Sequence, residues 1–76
     1  MNLQQALARC RHHLPRAAEM ESSARLCLAD AVRLHDDGDY AGAWDRAAKC
    51  LKYCVGIFHK DYQAADLAAK LSANRL

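Results

Sequence analysis

Seventy-six residues make one domain, residues 1–76, near the lower size limit for a self-sufficient core, so length alone raises the expectation of association with another chain. Eleven basic against nine acidic residues leave a formal net charge of +2, a balance that does not by itself point to nucleic acid. An alanine-rich chain with three glycines, one proline and few aromatics disfavours sheet, and the expected class is all-α.

The longest apolar run, Tyr53 to Phe58, is far too short to span a bilayer. The opening MNLQQALARC lacks the basic segment followed by an apolar stretch that marks a secretion signal. A cytoplasmic protein with reduced thiols and no membrane partner is expected.

The first helix is predicted from Asn2 to His13, with Leu3, Ala6, Leu7, Cys10 and Leu14 in one stripe at helical spacing. Pro15 disfavours helical geometry at Leu14 and suits the first turn of a following helix, so a bend is expected there. The second helix should run from Pro15 to Asp36. Its seam is Ala17, Met20, Ala24, Cys27, Ala31 and Leu34, with Leu28 beside it, the narrow stripe of a helix packed nearly antiparallel to a neighbour. Glu21 and Arg25 are spaced to pair on its flank, as Asp45–Lys49 and Asp66–Lys70 are further on.

Asp36-Asp37-Gly38-Asp39 reads as a tight turn. Gly38 can take the left-handed conformation that ends a helix, and Asp39 is placed to cap the next. From Tyr40 the apolar phase runs through Ala43, Trp44, Ala47, Leu51, Cys54, Phe58, Tyr62, Ala65 and Ala69. It predicts one long third helix reaching Ser72, roughly 33 residues and about 50 Å. A break near His59-Lys60-Asp61, with Asp61 as a cap, is the alternative. The architecture expected is an antiparallel hairpin with an added N-terminal helix, a three-helix arrangement in which the third helix overhangs the second.

Within this stretch, Ala31, Gly38-Asp39-Tyr40, Ala43, Ala47 and Leu51 fall where a tetratricopeptide repeat has its small helix-A residue, its turn and its helix-B small and apolar positions. Residues 24–55 resemble one such helix–turn–helix unit, with no second copy following. The resemblance implies a helical hairpin that binds peptides or partner proteins.

A second strip on the long helix, Tyr53, Gly56, Ala64, Leu67 and Leu71, lies off the main seam, and Gly56 there would admit a close backbone. Burying a Leu stabilises by roughly 1.5–3 kcal/mol. The expected partner surface is therefore Leu67, Leu71, Tyr53 and Gly56, covered by a second copy in a two-fold symmetric dimer, with cover by the first helix as the alternative.

Folding the hairpin at Gly38 brings Cys27 opposite Cys50 and Ala24 near Cys54. Core packing is the expected role of these thiols. Zinc or redox chemistry at Cys27, Cys50 and Cys54 is the alternative, although the close cysteine pair of most structural zinc sites is missing. No cofactor is implied. Among His12, His13, His35 and His59, none has a nucleophile or carboxylate at motif spacing, so no catalytic residue is assigned. Arg9, Arg11, His12, His13 and Arg16 form a basic end, expected to be a solvated helix terminus. A nucleic-acid contact there is the alternative, without a helix-turn-helix spacing, an RNP motif or a phosphate loop to support it. The functional expectation is a small non-catalytic protein–protein interaction module that associates with itself and with an unidentified protein. A nucleic-acid accessory protein is the runner-up and a thiol or zinc sensor the third reading.

Overall fold

A computed structural model of the chain describes residues 1–74. Asn2 opens the first helix, α1 (Leu3–His13): its side chain accepts from the Gln5 N–H at 2.8 Å, and the Gln5 side chain accepts from the Asn2 N–H at 2.9 Å. Two orphan donors of the helix start are thereby satisfied reciprocally. A 3-10 segment (Leu14–Met20), α2 (Glu21–Asp36), α3 (Tyr40–Val55) and α4 (Lys60–Ala73) follow. The class is all-α, and among the described residues there are four α-helices rather than three.

The bend after α1 is displaced from its expected place. Leu14 keeps helical angles (φ −51°, ψ −42°), and Pro15 occupies the start of the 3-10 segment, where its missing N–H costs nothing. The chain turns instead at Ala18, at φ 51° and ψ −117°. As a result α2 begins at Glu21, and Met20, expected on the seam, is exposed.

The acidic turn behaves as its residues dictate. Gly38 has φ 81°, its N–H donates to the His35 carbonyl at 3.1 Å, and the Asp39 N–H donates to the Leu34 carbonyl at 2.9 Å. This pair of bonds closes the last turn of α2 around a left-handed residue. Asp39 then caps α3, accepting from the Gly42 N–H at 3.0 Å. Tyr40 is exposed rather than seated on the inner face, its ring edge-on to His35 at 5.7 Å.

The long third helix is not continuous. Gly56 stops α3 at φ 85°, ψ 171°, and His59 starts α4. Phe58, expected on the inner face, lies in the intervening turn and is 89% exposed. No atom lies within 4 Å of where a Gly56 Cβ would stand, so this glycine serves the turn and not a close helix contact.

α3 is the hub. The other three helices and the 3-10 segment all pack on it, whereas α1 meets α4 only sparsely. Of the fifteen buried apolar residues, eight are alanine and four cysteine; Leu7, Trp44 and Leu51 are the large ones. Small side chains let the helices approach closely but bury little apolar area each. No helix among the described residues is long and apolar enough to cross a membrane.

Candidate functional site

α1 presents Ala6, Leu7, Cys10 and His13 to the interior. His13 stands one helical turn beyond Cys10, so docking α1 on α3 carries the imidazole inward with the apolar stripe. α4 starts immediately after the Gly56 turn. His59 is its N-cap residue, with Nδ1 accepting from the Asp61 N–H at 3.0 Å. Asp61 lies in the first turn, one turn before the buried Ala65, and shares its inward face.

These two helix ends meet. His13 Nε2 lies 2.8 Å from Asp61 Oδ2, and both residues are buried. A carboxylate only accepts, so the imidazole carries its proton on Nε2 and donates. His59 Nδ1 is 4.0 Å and Arg9 Nε 3.9 Å from the same carboxylate oxygen. The His13 ring is edge-on to His59 at 5.0 Å and to His12 at 4.9 Å. One carboxylate is thus faced by two imidazoles and a guanidinium, at the positive end of a helix dipole. The hydrogen bond from His13 holds the Asp61 carboxyl below its ordinary value against the opposing effect of burial, and the charges of Arg9, His13 and His59 lower it further. His13 Nδ1 is buried with no hydrogen-bond partner. A groove of about 400 Å³ lined by Met1, Gln5, Arg9, Lys60, Asp61 and Ala64 opens beside the carboxylate.

The expectation concerned carboxylates at motif spacing, and this pair is not one of those. Its members are 48 residues apart, outside the reach of motif spacing. The available signal was phase: a His one turn past a core Cys, and an Asp one turn before a core Ala. The basic end loses one member in the same step. His13 is internal, while Arg9, Arg11, His12 and Arg16 stay exposed, Arg9 with its Nε 3.9 Å from Asp61.

All four cysteines are free thiols and buried. Burial and the neighbouring Cys50 push the Cys27 thiol up, in keeping with the facing of these two residues across the hairpin. Cys10, outside the layer expected from the sequence, joins it: its thiol donates to the Ala47 carbonyl at 3.4 Å, and its closeness, together with burial, raises the Cys50 thiol. Burial first, then Cys50, pushes Cys54 up to about 12. Such thiols stay protonated at neutral pH and are poor nucleophiles.

The partner strip divides. Leu67 and Leu71 are 59% and 63% exposed on α4. Tyr53 is half-buried against the core of α3, and Gly56 belongs to the turn. No protein-family model matches the chain, and neither a curated protein nor a solved structure matches it.

Proposed function

We propose that the protein is a small interaction module that pairs with a second copy of itself through α4 and the turn before it. The observation that carries this reading is the inverted distribution of large apolar side chains. The fully packed core is built mainly of alanine and cysteine, whereas Ile57, Phe58, Leu67 and Leu71, four of the eight exposed large apolar side chains among the described residues, lie on α4 and the turn before it. α4 packs mainly on α3, so most of its circumference is free to take a partner.

Charge favours a second copy as the occupant. Asp66 and Lys70, paired at 2.9 Å, lie along one edge of the Leu67–Leu71 strip. An antiparallel two-fold contact between two α4 helices brings that edge against its copy, with each Asp66 facing the Lys70 of the other chain. Such a contact is isologous and closes on itself. The tetratricopeptide-like reading of the α2–α3 hairpin supports an interaction role in the same direction, and four buried free thiols suit a reducing, cytoplasmic setting.

Sedimentation equilibrium across a concentration series tests the proposal. The wild type is expected to be dimeric, and Leu67→Asp with Leu71→Asp to be monomeric with unchanged helicity. A wild type that is monomeric at high micromolar concentration overturns it.

A further inference from the structure

We propose that His13, His59 and Asp61 form a binding site for a divalent transition-metal ion of the zinc class. Among the described residues, this is the one group of three His, Cys, Asp or Glu side chains whose ligand atoms all lie within 4.8 Å of one another. Two imidazole nitrogens and one carboxylate oxygen suit zinc, nickel, cobalt or copper, whereas magnesium and calcium call for oxygen donors.

The spacing fits the ion. Neighbouring ligand atoms in a tetrahedral site with bonds of about 2.0–2.1 Å stand roughly 3.3 Å apart. The two separations from Asp61 Oδ2, 2.8 Å to His13 Nε2 and 4.0 Å to His59 Nδ1, bracket that value, and the three ligand atoms lie within 4.8 Å of one another, so a small inward turn of His59 completes the set. His13 and Asp61 are fixed by burial, while the His59 side chain is 30% exposed, leaving an approach from solvent and an open position for water. Arg9 is the one guanidinium facing the carboxylate; its side chain is half-exposed and free to swing away. With the ion on Nε2 the ring proton moves to Nδ1, which is buried without an acceptor, so packing alone orients this ring.

The ion takes the lone pair by which His59 now caps α4 and the place of the proton between His13 and Asp61. It therefore ties the end of α1 to the start of α4, which otherwise touch sparsely. The site stands independently of the self-association proposed above.

The test uses tag-free full-length protein stripped with EDTA. Zinc(II) is titrated against a chromophoric chelator, and cobalt(II) is followed by visible absorption. The expected result is a single ion per chain, with cobalt bands of nitrogen and oxygen ligation and no thiolate charge-transfer band. His59→Asn keeps a capping acceptor, and His13→Gln keeps a donor toward Asp61. Each is expected to weaken binding by about tenfold or more while helicity is retained. Should His13→Gln fail to fold, His59→Asn decides alone. Absence of binding at high micromolar zinc(II), unchanged affinity in the variants, or a thiolate band placing the ion at Cys50 and Cys54 would each overturn the assignment.

Discussion

Ala18 holds the least comfortable backbone in the molecule. At φ 51° and ψ −117° its Cβ crowds the neighbouring backbone, and only glycine adopts such angles without strain. The position is exposed, so the side chain gives little in return. Ala18→Gly is expected to raise stability by about 1 kcal/mol, read as a higher urea midpoint. An unchanged or lower midpoint would mean that the turn between α1 and α2 is unstrained. The sequence held no mark of this kink: Pro15 drew the bend to Leu14, while the angle was absorbed four residues later by an ordinary alanine. Gly38 and Asp39 were legible because their function is local, a positive φ followed at once by a capping carboxylate.

The helices were legible where a stripe and its stop signal agreed, and misleading where they diverged. α3 and α4 read as one because the residues from Gly56 to His59 replace roughly one helical turn. The apolar phase therefore carries across the break, and Tyr62 and Ala65 fall in step with Leu51 and Cys54. Gly56 was the available stop signal, but a continuous phase outweighed it. Phe58 separates the two readings. On the inner face of a long helix its truncation would cost about 3–5 kcal/mol. In an exposed turn Phe58→Ser should move the thermal midpoint little, within about 0.5 kcal/mol. A large loss, measured below the concentration at which copies associate, would restore the continuous helix.

At the scale of the whole molecule, the candidate site was illegible because it is made by the end of α1 and the start of α4 meeting over α3, and no local pattern encodes such a meeting. What each end contributes can still be measured through acid. The folded Asp61 carboxyl lies below its ordinary value of 3.8, chiefly through the hydrogen bond from His13. Its stabilising contribution is therefore present above that value and is lost as pH falls through the lower folded value. In metal-free protein, Asp61→Asn should be less stable by about 1 kcal/mol at neutral pH, with the gap to wild type closing below pH 3.8. A gap that stays constant through this range would show that the charge does not matter. The same contact also bears on the order of events in time. The α2–α3 hairpin joins residues close in the chain, whereas the His13–Asp61 contact closes a loop of 48 residues, whose closure entropy must be met before the contact forms. Folding should then nucleate in the hairpin and complete the clasp after the rate-limiting step. On this account, weakening the clasp leaves the refolding rate nearly intact and quickens unfolding: the His13–Asp61 pair sets how long a folded molecule lasts, not how fast it is made.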